Sequence, residues 1–272
     1  MNTETKNSLF IKAATNQVTD RPPVWFMRQA GRYMQEYQQF RQKHSFLEMI
    51  KTPDIATEIT LQPIRRFGVD AAILFSDILV TAEALGSDLD FVDGVGPVIH
   101  NPIRNLKDCE NITCPDIQDA APYVMNAIHN LKAELKETPL IGFCGAPFTV
   151  ASYMIEGKSS KQLCNVKELI GSQPDVMHSL LKKLTTTTID YLNAQLESGV
   201  DAIQIFDTWA GLLSYHDYQT FITPYTTEIL RQLKNPRNCP IIIYSQHTTT
   251  FLPLLQTYNA DVISVDWQSD LS

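Results

Sequence analysis

The chain has 272 residues, 44% of them hydrophobic, and a formal net charge of -8 at pH 7. That length and apolar content allow one large domain with a full core, and the acidic balance, with no basic stripe, argues against nucleic acid as a partner. No stretch reads as a secretory leader or a membrane span, so the expectation is a cytoplasmic protein with no membrane partner. The cysteines, at 109, 114, 144, 164 and 239, include no C-x-x-C pair. That pattern speaks against a disulfide framework and a zinc site, so no metal ligand is assigned.

The first element read along the chain is an apolar run, Val24–Met27, taken as a buried strand that stops at Arg28. Gly31, Arg32 and Arg41 follow. Apolar strands of a parallel sheet present their functional groups at the carboxyl edge, and arginine grips carboxylates bidentately, so Arg28 and Arg32 define a candidate anion site. Their helical spacing alone would also fit a solvated face. Further strands are expected at Ala71–Phe75, Leu140–Phe143, Ala202–Phe206, Ile241–Tyr244 and Val262–Val265. Amphipathic helices are expected over Thr52–Phe67, Pro122–Leu135, Pro174–Ser198, Tyr215–Leu233 and Thr250–Tyr258. Segment 84–120 is a long loop rich in Gly and Pro, and such a loop is functional or carries its own short strands.

Continuous apolar strands alternating with helices indicate an α/β fold with a parallel sheet covered on both faces. The polar residues choose among such folds. Arg28, Asp77, Pro147, Asp207-Thr208, Gln246-His247 and Asp266-Trp267 all fall at or just beyond the ends of candidate strands. Groups gathered from many strand ends describe the carboxyl face of a (β/α)8 TIM barrel, whereas a doubly wound sheet would concentrate them at one switch point. The expected architecture is therefore a single barrel domain over residues 1–272. Six candidate strands leave two of the barrel's eight βα units unaccounted for.

The run Trp25-Phe26-Met27-Arg28-Gln29-Ala30-Gly31-Arg32-Tyr33 resembles the N-terminal signature of the uroporphyrinogen decarboxylase family. Gly142-Phe143-Cys144-Gly145-Ala146-Pro147-Phe148-Thr149 resembles that family's second signature. Phe75-Ser76-Asp77-Ile78-Leu79 and Val265-Asp266-Trp267 follow the same order, so the likeness runs from about Leu9 to Leu271. The resemblance implies a barrel enzyme of haem biosynthesis that removes carbon dioxide from the four acetate side chains of uroporphyrinogen, giving coproporphyrinogen, with no cofactor. It also implies a homodimer in the complete enzyme. The family's C-terminal Gly-His-Gly block has no counterpart here, and Asp270-Leu271-Ser272 reads as an interrupted end. The expectation is a form lacking the last strands, in which activity is open.

By the same resemblance Asp77 is the central residue, hydrogen-bonded to the pyrrole N–H groups while its charge offsets a ring cation; an N-cap role for Ser76-Asp77 is the competing reading. Arg28 and Arg32 would hold substrate carboxylates, and Arg28 is also a candidate for relaying a proton, though a guanidinium is a poor acid. Arg41 would reach a propionate or be a surface charge. Gln29 would orient its neighbours within the substrate site. Phe143 would form the apolar wall beneath the macrocycle. Tyr153 would bond a carboxylate or be a core aromatic, and Thr208 stands where relatives have Ser. Tyr37 stands where some members have Phe, and His247 is assigned no role.

Two other readings stay open. One is a corrinoid- or zinc-dependent methyltransferase of the same superfamily, which the absence of a His-x-Cys pair disfavours. The other is a non-catalytic fragment of the decarboxylase.

Overall fold

The structure, a computed structural model, describes residues 3–235 and 238–270. Leu271 and Ser272, on which the expectation of an interrupted end partly rests, lie outside the described residues. The described residues hold seven strands: β1 (Ala72–Ile73), β2 (Leu89–Val92), β3 (Gly96–Ile99), β4 (Leu140–Gly145), β5 (Ala202–Asp207), β6 (Ile241–Ser245) and β7 (Val262–Ser264). Five of them form one parallel sheet in the order β1-β4-β5-β6-β7, while β2 and β3 pair antiparallel as a hairpin. The register sets Ala72 beside Leu140, Ile203 beside Ile241 and Ile242 beside Val262. Strand order follows chain order without reversal, so the sheet has no switch point and is not doubly wound.

Every residue of β4 and β5 is buried, because helices cover the outer face while aromatic and aliphatic side chains fill the inner one. The helix Pro174–Ser198 is the main cover, and Gly199 ends it in the left-handed region (φ 119°), where a Cβ would be strained. Close packing explains one signature residue. A Cβ added to Gly142 of β4 would lie 2.9 Å from Val200 Cγ1 and in closer conflict with Gln195 Oε1, whose own Nε2 donates to the Phe143 carbonyl. Gly142→Ala should therefore lower stability by about 1–3 kcal/mol through overpacking, read as a shift in urea midpoint at unchanged slope.

The largest departures from the sequence expectations are two. Val24–Met27 is not a strand. Val24 exchanges one backbone bond with Asp70 (2.8 Å), its N–H goes to the Asp70 side chain, and the chain turns at once through the Gln29 N–H to Phe26 carbonyl bond. Pro22 and Pro23 cannot donate to a ladder, and Phe26 is 58% exposed. The expected helix Tyr215–Leu233 is two, Tyr215–Phe221 and Thr223–Gln232, since Pro224 begins a new helix at its first turn. Segment 84–120 does carry short strands of its own, the β2–β3 hairpin, together with the short helices Leu106–Glu110 and Ile117–Ala120. Among the described residues, no helix is long and apolar enough to cross a membrane.

Candidate active site

A cleft of about 970 Å³ opens at the carboxyl edge of the parallel sheet. Its floor is aromatic. Phe143 of β4 meets Phe206 of β5 edge to face (5.5 Å, 87°), and Phe206 meets Tyr244 of β6 (5.7 Å, 61°). These rings occupy strand positions whose side chains face inward, which is why a continuous apolar strand can also furnish a ligand surface. The signature segment contributes Met27, Arg28, Arg32 and Tyr33 to one wall, and Arg41 joins them from the following helix, Gln35–Arg41.

The arginines differ in their partners. Among the described residues, Arg21, Arg65, Arg66 and Arg231 are each ion-paired to a carboxylate, whereas Arg28 and Arg32 form no ion pair. Both are exposed to the cleft. Two unpaired guanidinium groups on one wall of an acidic protein are a local anion site. Arg41 is paired: its Nη2 lies 2.9 Å from Asp93 Oδ1, at the tip of the β2–β3 hairpin, and it also donates to the His44 carbonyl. Asp93 is 87% exposed, so this contact is a weak one.

Asp77 faces the arginines from the segment that leaves β1. Its Oδ1 accepts the Leu79 N–H at 2.8 Å. The helix that follows, Val80–Ala84, has Leu79 at its N-cap with no side-chain cap, so Asp77 closes a local turn and does not cap that helix. Burial raises its pKa to about 6, against the opposing effects of the Leu79 N–H and the Arg28 charge, with Glu83 adding to the rise. Burial likewise raises the pKa of Tyr153, which also senses Asp77 and Arg28. Tyr153 packs edge-on against Trp209 (5.7 Å, 79°).

Of the residues singled out from the sequence, Arg28, Arg32, Arg41, Asp77, Phe143, Tyr153 and Thr208 all line this one cleft, as does Tyr37. Gln29 does not. It is 1% exposed, its Oε1 accepts the Phe26 N–H, and its Nε2 donates to the Ala71 carbonyl, so it ties the signature turn to the sheet. His247 also lies apart, with its N–H on Asp266 Oδ2 and its ring Nδ1 2.7 Å from Gln268 Oε1, while the adjacent Gln246 reaches the cleft. The hairpin residues Phe91 to Pro97 form a further wall, within the segment expected to be functional or to carry short strands but with no residue of it singled out. Asp93-Gly94 between two short apolar runs was the signal that could have found it. Among the described residues, no group of three or more His, Cys, Asp or Glu side chains could hold a metal ion.

The parallel sheet, with a cation-lined and aromatic-floored cleft at its carboxyl edge, defines the class of the protein as α/β. The solved structure of a methyltransferase from Methanosarcina mazei shares the fold, with a TM-score of 0.78 at 20% identity over 95% of this chain and 76% of that one. Sequence comparison is more specific. The family model for uroporphyrinogen decarboxylase matches residues 5–272. A uroporphyrinogen decarboxylase of Trichlorobacter lovleyi is 48% identical over 97% of this chain and 77% of its own length. Those of Geobacter sulfurreducens and Coxiella burnetii are 47% and 45% identical, over 77% and 75% of their lengths. This chain belongs to the uroporphyrinogen decarboxylase family.

Proposed function

We propose that the cleft binds uroporphyrinogen and removes carbon dioxide from its four acetate side chains, giving coproporphyrinogen in haem biosynthesis, and that Asp77 and Arg28 are the catalytic residues. The observation that carries this reading is the half-buried Asp77 carboxyl facing two unpaired arginines above an aromatic floor. A cyclic tetrapyrrole presents just the complement: pyrrole N–H donors at its centre and carboxylates at its rim.

Loss of carbon dioxide from an arylacetate breaks the bond between the methylene and carboxyl carbons. The electron pair must go somewhere, and a pyrrole ring protonated on carbon accepts it. A proton then replaces the lost carboxyl group at the methylene carbon, leaving a methyl group, and the ring carbon releases its own proton to restore the pyrrole, so one proton is taken up per carbon dioxide lost. The chain's task is electrostatic: to stabilise the ring cation and orient the departing carboxylate, in a cleft where fixed charges act more strongly than in water. Asp77, once ionised, accepts from the pyrrole N–H groups and offsets the ring's positive charge. Arg28, Arg32 and Arg41 grip carboxylates at the rim, with Tyr153 and Thr208 supplying hydroxyl donors. Phe143 and its aromatic neighbours support the macrocycle face. The chemistry needs no cofactor, because the substrate ring is its own electron sink.

The same reading takes the sheet as part of a single (β/α)8 barrel domain, in line with strands wound in chain order. It also takes the functional form as a cytoplasmic homodimer, which sedimentation of the purified chain would test. The deciding experiment for function is anaerobic incubation with uroporphyrinogen and chromatography of the oxidised products. Stepwise appearance of porphyrins with seven to four carboxylates is the expected result. Unchanged substrate under conditions where a relative turns over would overturn the proposal.

A further inference from the structure

Thr149 sits in the second signature, at the third position of the helix Pro147–Glu156, and has no exposed surface. It does not line the cleft. Its hydroxyl has two partners from the far side of the site. It donates to Asp207 Oδ1 at 2.8 Å, and its oxygen accepts the Trp209 N–H at 3.2 Å. Asp207 ends β5 and is 3% exposed; among the described residues it has no ion-pair partner. Between the two residues that Thr149 holds lies Thr208, which does line the cleft. Trp209 in turn packs against Tyr153, one helical turn beyond Thr149 on the same helix.

The arrangement is directional. A threonine hydroxyl has one proton, and handing it to Asp207 turns the oxygen's lone pairs toward the Trp209 N–H. An ionised Asp207 carboxyl can only accept, which fixes the direction of this bond. A second tie fixes the same junction, since the Ala146 N–H donates to the Phe206 carbonyl at 2.9 Å. The chain after β5 leaves the sheet through Thr208 and Trp209 into the 3₁₀ turn Ala210–Leu212, so without these ties Thr208 would stand on an irregular segment.

We propose that Thr149, oriented by Asp207, is a positioning residue for substrate binding: it holds the Thr208–Trp209 segment so that the Thr208 hydroxyl and the Tyr153 ring keep their places in the cleft wall. This rests on the function proposed above. Thr149 itself touches no substrate. Its effect is therefore expected in ground-state grip more than in turnover.

The test begins with Thr149→Val, which keeps the shape and removes both hydrogen bonds, with Thr149→Ala as a second route if the valine form does not fold. KM for uroporphyrinogen should rise about tenfold with kcat held within about twofold, as expected for loss of one substrate hydrogen bond. Thr149→Ser should recover most of the loss. Hydrogen exchange at the Trp209 amide, measured without substrate, should quicken in the valine form and slow again in the serine form. The loss in the double variant Thr149→Val with Thr208→Val should fall well short of the sum of the two single losses, because much of the first change acts through the second residue. Additive losses in an active protein, or a lowered Tm with unchanged KM, would overturn the positioning role and leave the decarboxylase reading standing. An inactive parent chain would instead overturn the function, and the role with it.

Discussion

Asp77→Asn is expected to reduce kcat by about 10²–10³-fold while leaving the protein at least as stable as its parent. The two effects separate because of what the carboxyl experiences. Asparagine can still accept the Leu79 N–H, so the local turn survives. It cannot carry the negative charge that offsets a ring cation. Stability should move in the opposite direction to activity. Burial raises the Asp77 pKa to about 6, from an ordinary value of 3.8, so holding it ionised at pH 7 costs roughly 3 kcal/mol. With the folded pKa above the unfolded one, this group's contribution is most favourable below pH 3.8 and is lost as pH rises toward about 6. The asparagine form should therefore gain on its parent across that window and keep a constant advantage above it. Thermal melts of both proteins between pH 4 and 8 read this directly. Equal losses of Tm and turnover would return Asp77 to a purely structural role.

Arg28 gives the second large effect. Its charge is among the influences holding the Asp77 pKa down. Arg28→Gln should let that pKa climb above 6, so the acid limb of kcat/KM against pH, which follows ionisation of Asp77, should move to higher pH. On the plateau, losing a charged carboxylate grip should lower kcat/KM by about tenfold to a hundredfold, in line with about 1.5–3 kcal/mol for a charge-assisted bond. Arg28→Lys separates the two contributions. It keeps the charge and hence the limb, but loses the planar fork, so KM should rise with the pH profile in place. A glutamine variant with an unmoved limb would show that Arg28 and Asp77 do not act together.

Most of the cleft was legible in the sequence because its residues sit at strand ends or inside compact signatures. Asp77 follows a short apolar run, Phe143 lies within one, and Thr208 follows another. Where the reading failed, a long-range contact had overridden a local pattern. Val24–Met27 is apolar enough for a strand, yet its neighbour Asp70 captures both its first amide and the Arg21 side chain, so a turn forms instead of a ladder. Gln29 looks like any polar member of a binding motif, and only the fold shows it spent on Phe26 and Ala71. The Thr149 to Trp209 tie spans sixty residues and has no periodicity to betray it. The break at Ile222 was visible in principle, since Pro224 two residues later cannot continue a helix.

On the function proposed above, the Arg41–Asp93 contact would give the cleft a mild preference for ligands of high valence. A ligand with a single negative charge meets Arg41 already occupied, and must compete with a tethered carboxylate that is never more than one hairpin away. A ligand with many carboxylates can dock first on Arg28 and Arg32. Its next carboxylate then faces Asp93 at the high effective concentration of a neighbouring group on the same molecule. A pair this exposed is worth at most about 1 kcal/mol, so it tilts Arg41 toward polyvalent ligands without barring simple anions. An exposed ion pair of little worth to the fold would in that way favour, modestly, the more highly charged of the ligands that enter.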